Sequence, residues 1–176
     1  MLFVFESKID KNHTKRRLNV IDTFDKKLIC LLQENARMKW ADLAAQVGLS
    51  APATAERVNR LMENGVIKGF AARIDAEKVG SELTAFVAVS LERPEHRAPF
   101  LARIEELIEV MECHHIAGED DYLLKIRSRN TKDLDRIISY EIKGLTGVVR
   151  TKTTIVMDTT KETMEVPLQP HFFSGE

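Results

Sequence analysis

Residues 38–65 constrain this 176-residue chain most tightly. Leu43, Ala44 and Val47 recur at helical spacing, which predicts a short amphipathic helix over 40–47. Gly48 can close that helix in a left-handed conformation. Leu49 is an apolar plug, and Ser50 can cap the free N–H groups of a second helix. Pro52 falls in the first turn of that helix, where a missing N–H costs little. Thr54 or Ala55, Val58, Leu61 and Met62 follow at helical spacing as its buried stripe. Gly65 ends it. Ala53, Glu56, Arg57, Arg60 and Glu63 fall on the opposite face.

Two short helices, a glycine turn, a buried inner stripe and outward arginines have the form of a DNA-reading helix-turn-helix. Small residues at Ala44, Ala51, Ala53 and Ala55 let the helices cross closely and let a DNA backbone approach. Arg57 and Arg60 can offer paired donors to guanine edges or phosphates. The candidate DNA-binding residues are therefore Ser50, Ala51, Pro52, Ala53, Glu56, Arg57 and Arg60. The plainer reading of the same face is a solvated, salt-bridged helix surface.

The charge distribution bears on that choice. Residues 1–80 carry 14 basic and 10 acidic side chains, and residues 81–176 carry 12 and 17. A basic half joined to an acidic half suits a chain whose first half alone meets a polyanion. The rest of the composition, 44% hydrophobic and 30% charged, is that of a globular protein. No apolar run approaches the ~20 residues that span a bilayer. Residues 1–5 are apolar but too short for a signal core, and their basic residues follow rather than precede them. A cytoplasmic protein without a membrane partner is the expectation. Cys30 and Cys113 both lie in apolar segments and imply no disulfide framework.

Around the central stretch, the order of elements can be read. Residues 1–18 form a basic extension without apolar period, expected to be disordered, or else an arm that touches phosphates. Residues 22–35 predict a helix with Phe24, Leu28, Leu31 and Leu32 inward and Asp22 as its cap. It completes a three-helix unit over 19–66. A strand is expected over 66–74, within a linker that runs from 67 to 82 and turns at Gly80. Strands over 83–91, 110–117, 122–127 and 148–157 then alternate with helices over 94–107 and 131–143. Thr131 is the expected cap of the last helix. The order βαββαβ over 83–166 is the ferredoxin-like arrangement, leaving a tail at 167–176. The fold class is α+β. Two helices cover one face of such a sheet. The strands are apolar on both parities, so the other face should pack against a second copy of the chain.

A helix-turn-helix followed by a βαββαβ module resembles the Lrp/AsnC (feast/famine) family of bacterial and archaeal regulators. The resemblance runs from about Asp22 to Val166. It is carried by Asp22-x-x-Asp25, Val47-Gly48-Leu49-Ser50, Arg57-Val58-x-Arg60-Leu61 and Gly65-Val66-Ile67 in the first half. In the second it is carried by Gly118-x-x-Asp121-Tyr122-Leu123-Leu124, Gly147-Val148 and Thr151-x-Thr153-x-Ile155-Val156. Val110-Met111-Glu112-Cys113-His114 looks most like the leucine-responsive branch. The resemblance implies a winged helix-turn-helix regulator of transcription that binds double-stranded DNA. It also implies dimers, assembly into higher oligomers, and a small effector, commonly an amino acid. The family pattern implies an effector site at Gly118 and Asp121, faced by Thr151 and Thr153, and Asp120 beside them is a further candidate. The chain departs from the pattern at Asp120, where the family carries Tyr or Phe.

Other chemistry finds little support in the residues. Cys113, His114 and His115 cannot converge on one ion from a strand, because the middle residue points away from its neighbours. Glu119, Asp120 and Asp121 lack the spaced ligands of a calcium loop. With no glycine-rich phosphate loop and no nucleophile elbow, neither an enzyme nor a cofactor is expected. Two alternatives stand beside the regulator. One is a sirohaem-decarboxylase-like enzyme on the same scaffold, and the other is a metabolite-sensing or assembly module that does not read DNA.

Overall fold

A computed structural model describes residues 21–168. The expected basic extension, 1–18, lies outside those residues, as does all but the start of the 167–176 tail. The chain forms two compact units. One holds the described residues up to Ala71 together with those from Met164 on, and the other is Ala72–Thr163.

The first unit is three helices: α1 (Thr23–Glu34), α2 (Trp40–Val47) and α3 (Ala51–Glu63). Their ends follow from local chemistry. Asp22 accepts from the Asp25 N–H at 2.8 Å, and the Asp25 carboxylate accepts from the Asp22 N–H in return, closing a capping box. Gly48 ends α2 at φ +76°, and the Ser50 hydroxyl accepts from the Ala53 N–H to open α3. Leu28, Leu32, Leu43, Val47 and Val58 form the core. Burying each is worth roughly 1.5–3 kcal/mol. Two expected core residues are not in it. Met62 is exposed because Thr54, Val58 and Leu61 already fill the inner stripe of α3. Phe24 is exposed in the first turn of α1, with the Arg57 guanidinium 5.3 Å from its ring centre.

Residues 66–74 form no strand, contrary to expectation. A strand exists only as part of a ladder, and no described segment pairs with this one. Val66, Phe70 and Ile74 are left exposed.

The second unit holds β1 (Leu83–Leu91), α4 (Arg97–Glu106), β2 (Val110–His115), β3 (Tyr122–Ser128), α5 (Thr131–Arg136) and β4 (Val148–Ile155). The strand order is β2-β3-β1-β4, with every neighbouring pair antiparallel. This is the expected split-βαβ topology. Ala85, Val87, Val89, Tyr122, Leu124 and Ile126 lie on one face, packed under Phe100, Ile104, Leu134, Ile137, Ile138 and Ile142. Asn130 rather than Thr131 caps α5, because its side chain reaches the Asp133 N–H. Beyond Arg136 the helix widens into a π turn over Ile137–Ile142, where the Lys143 N–H donates to the Ile138 carbonyl. The wider turn brings Ile142 back beside Ile137 and Ile138 over the sheet. Gly144 follows because a Cβ there would meet the Tyr140 carbonyl.

The other sheet face is less apolar than the strand pattern predicts. Phe86, Ala88 and Leu123 are half-buried at its middle. Lys125 bonds Glu112 and Glu162, and Arg127 bonds Glu162 at 2.8 Å. Glu162 belongs to the segment after β4, so that segment supplies counter-charges to the face.

Candidate functional site

The outer face of α3 carries the expected DNA-binding residues. The helix begins at Ala51 and puts Pro52 in its first turn. Ser50, Pro52, Glu56 and Arg60 are exposed, while Ala51 and Ala53 are half-buried. Arg57 differs from its neighbours. Its Nη1 donates to Asp22 Oδ2 at 2.6 Å and to Asp25 Oδ1 at 2.8 Å, and its side chain is only 24% exposed. The two carboxylates at the N-terminus of α1 raise its pKa further. Arg60 reaches Asp25 at 3.3 Å and keeps half its surface in solvent. The guanidinium of Arg57 therefore turns toward α1, and that of Arg60 divides itself between α1 and solvent. The Asp25 carboxylate at the centre is 3% exposed. Sequence reasoning placed both arginines outward and did not foresee this clamp. The acidic pair Asp22-x-x-Asp25 was its visible half.

The five expected effector residues do not gather on one side of the sheet. Thr151 and Thr153 pair with Val89 and Val87, so they belong to the helix-covered face, at its β4 edge. Asp120 lies toward the other face. It accepts from the Ser90 hydroxyl at 2.6 Å and from Arg150 at 2.9 Å, and both residues alternate onto that face. The Ser90 hydrogen bond and the adjacent Arg150 hold its carboxyl below the usual range. Asp121 turns inward. Its Oδ2 accepts from the Leu91 N–H at 2.7 Å, and its own N–H donates to the Val89 carbonyl. Asp121 thereby ties the end of β1 to the start of β3. Gly118 sits in the exposed turn between β2 and β3.

A cavity of about 250 Å³ opens beside Asp121 on the helix-covered side, lined also by Leu91, Pro94, Arg97, His115 and Tyr122. Arg97 and Tyr122 were not singled out as site residues, and His115 was considered only as a metal ligand. Pairing of β2 with β3 sets His115 beside Tyr122, with ring centres 5.3 Å apart. The sequence signal was the shared inward parity of these two positions, legible only once the pairing register is known.

A helix-turn-helix with a capped, outward-facing second helix, joined to an α+β sheet unit with its own cavity, defines a DNA-binding regulator with a ligand-binding module. Comparison with known proteins bears this out. Residues 21–68 match the model for a winged helix-turn-helix DNA-binding domain, and residues 84–166 match that for the Lrp/AsnC ligand binding domain. The chain is 37% identical over 145 residues to a proline dehydrogenase transcriptional activator of Rhizobium radiobacter, covering 81% of this chain and 93% of that one. It is 36% identical over 159 residues to the leucine-responsive regulatory protein of Haemophilus influenzae, covering 89% and 96%. Its fold matches a feast or famine regulatory protein from M. tuberculosis complexed with L-methionine. The TM-score is 0.77 at 34% identity, covering 83% of this chain and 98% of that one. The protein belongs to the Lrp/AsnC family of DNA-binding transcriptional regulators. Among the described residues, no helix is long and apolar enough to cross a membrane.

Proposed function

We propose that the protein regulates transcription in response to a free amino acid, without catalysing a reaction, in the cytoplasm where its DNA lies. The observation that carries this reading is the clamped second helix. Ser50, Ala51, Pro52, Ala53, Glu56 and Arg60 form the surface offered to duplex DNA. Ser50 and the first-turn N–H groups suit a phosphate, and Arg60 suits a guanine edge or a phosphate. Arg57 serves the interface by fixing the angle of α3 against α1.

Two copies pack through the uncovered sheet face around Phe86, Ala88 and Leu123 and then assemble further. A dimer presents two such helices to half-sites one helical turn, or a multiple, apart. The effector is a neutral amino acid, held near Gly118, Asp121, Thr151 and Thr153. Two findings support this. The matched domain is a ligand-binding one, and the M. tuberculosis relative carries L-methionine. Asp120 is already paired with Arg150, so its charge does not select a cationic ligand.

Footprinting on genomic fragments, with and without each of the twenty amino acids, tests the whole reading. Protected tracts spaced by helical turns, altered by at least one neutral amino acid, are expected. Absence of any protected tract would overturn the DNA-reading assignment. Light scattering of the full chain should return a dimer or a larger particle, and a monomer would overturn the assembly.

A further inference from the structure

Helical phase divides α3 into two opposed stripes. Thr54, Val58 and Leu61 are its buried residues. Pro52, Glu56, Asn59 and Glu63 recur at the same spacing two residues out of step, which puts them about 200° away around the axis. All four are exposed. They form the outermost line of the helix, and the arginines stand to one side of it. Arg57 is turned to Asp22 and Asp25, and Arg60 is held at 3.3 Å from Asp25.

The polar groups left free on the outer line are few. The Ser50 hydroxyl accepts from the Ala53 N–H, and the Thr54 hydroxyl donates to the Ser50 carbonyl at 3.0 Å, so both are engaged in the cap. Glu56 and Asn59 make no hydrogen bond or ion pair with another described residue. A helix-turn-helix reads the major groove with the leading part of its second helix. Glu63, in the last turn of α3, stands clear of that part.

The chemistry of the two free side chains decides what they can meet in the groove. The Glu56 carboxylate has acceptors only, so phosphates repel it. Guanine turns two acceptors toward it and thymine one. Adenine offers an amine beside the opposing N7 acceptor, whereas cytosine offers its N4 amine alone. Cytosine is therefore the base that a carboxylate selects. The Asn59 amide carries one acceptor and two donors and matches the N6/N7 edge of adenine. Three residues of helix advance about 4.5 Å, close to the ~3.4 Å between successive bases of one strand. The two side chains thus reach neighbouring base pairs.

We infer that Glu56 and Asn59 set the sequence this regulator reads: Glu56 accepts from the N4 amine of a cytosine, and Asn59 pairs with the N6/N7 edge of an adenine in the neighbouring base pair. The inference rests on the DNA-reading assignment above and gives that surface its base identity. Arg57 and Arg60 position the helix, through α1 and through the phosphates beside the groove.

In vitro selection from a random duplex library tests this with the full chain and with the Glu56→Gln and Asn59→Ala variants. The native chain should enrich half-sites in which a C·G pair adjoins an A·T pair. Glu56→Gln exchanges the carboxylate for an amide that matches adenine, so it should replace the C·G pair by A·T and prefer the new duplex roughly tenfold. Asn59→Ala should keep the C·G pair and lose the preference beside it. Its affinity for the native half-sites should fall roughly tenfold, with that for a random duplex unchanged. Both side chains are exposed, so both variants should melt as the native chain does. Enrichment of one and the same sequence by the native chain and both variants would overturn the assignment and leave DNA reading intact. A shift with only one variant would overturn the role of the other residue. Failure of the native chain to enrich any duplex would overturn DNA reading and this assignment with it.

Discussion

Each unit contains a buried aspartate paired with two arginines, and the two clusters use charge differently. Asp25 is bonded by Arg57 and Arg60, which lie 32 and 35 residues further along the chain. Asp133 is bonded by Arg129 and Arg136, its neighbours on one helix and the turn before it. The first cluster joins two helices and fixes how α3 is presented. The second stiffens the start of α5, and Arg136 extends it to Glu109 at 2.6 Å. A distant ion pair sets tertiary geometry, whereas a local one sets the end of an element. The comparison implies that breaking the first should damage DNA binding and that breaking the second should change acid stability.

The largest expected effect is that of Asp25→Ala. It takes the buried partner from Arg57, which keeps only Asp22, frees Arg60 to solvent, and removes half of the capping box. Breaking such a pair costs about 3–5 kcal/mol. The three-helix unit should melt well below the sheet unit, and calorimetric scans should show two transitions where the native chain shows a closer pair. DNA retardation should be lost. A single unshifted transition would show that the Asp25 cluster contributes nothing to the helix packing.

The arginines sharpen the same point. Arg57→Ala should destabilise the helical unit by about 1–3 kcal/mol, because it leaves Asp25 largely unpaired. Arg60→Ala should leave the melting curve nearly unchanged, since half of that side chain is in solvent. It should instead weaken DNA binding by about 1–3 kcal/mol if it reads a base. If Arg60 contacts a phosphate, binding should fall for all sequences alike and the salt slope should drop by about one. Equal effects of the two variants on stability would erase the distinction drawn here.

Asp133 should show itself through pH. Hydrogen bonds from Arg129 and Arg136 depress its pKa from 3.8 to about 2. A depressed carboxylate contributes stability that is fully present above the unfolded value and is lost as pH falls through the folded one. Acid titration of the sheet unit should therefore lose stability between pH 4 and about pH 2. Asp133→Asn should lower the melting midpoint at neutral pH by a few degrees and flatten that part of the acid titration. A native acid profile in the variant would move the titrating group elsewhere.

What the sequence made legible follows the same division between local and distant. Caps are local, so Asp22, Gly48 and Ser50 marked their helix ends correctly. Strand composition is local, so β1 and β3 were readable as strands, but their apolar residues on both parities did not show which face is buried. The Arg57 clamp was not readable, because periodicity gives a residue's side of a helix and not its partner dozens of residues away. The linker strand failed for a related reason: its alternation was real, but a strand needs a ladder partner. The Tyr122 cavity needed the β2–β3 register, which no single segment encodes.

The smallest expected effect concerns Asp120, and it decides which face of the sheet that carboxylate serves. Its partners, Ser90 and Arg150, lie on the uncovered side, and Arg150 is largely exposed. The Asp120 side chain is 15% exposed, but Arg150 is about half in solvent and an asparagine still accepts from Ser90, so Asp120→Asn should shift the melting midpoint by only about a degree. Its consequence for ligand choice is sharper. A carboxylate facing the effector would repel acidic amino acids, and removing it would admit them. With Asp120 held by Arg150 on the other face, the variant should bind neutral amino acids as the native chain does and still reject aspartate and glutamate. Calorimetry with those two ligands and the Asp120→Asn chain separates the cases. A clear gain in affinity for glutamate would place Asp120 at the effector and remove the partition of charge between the two faces.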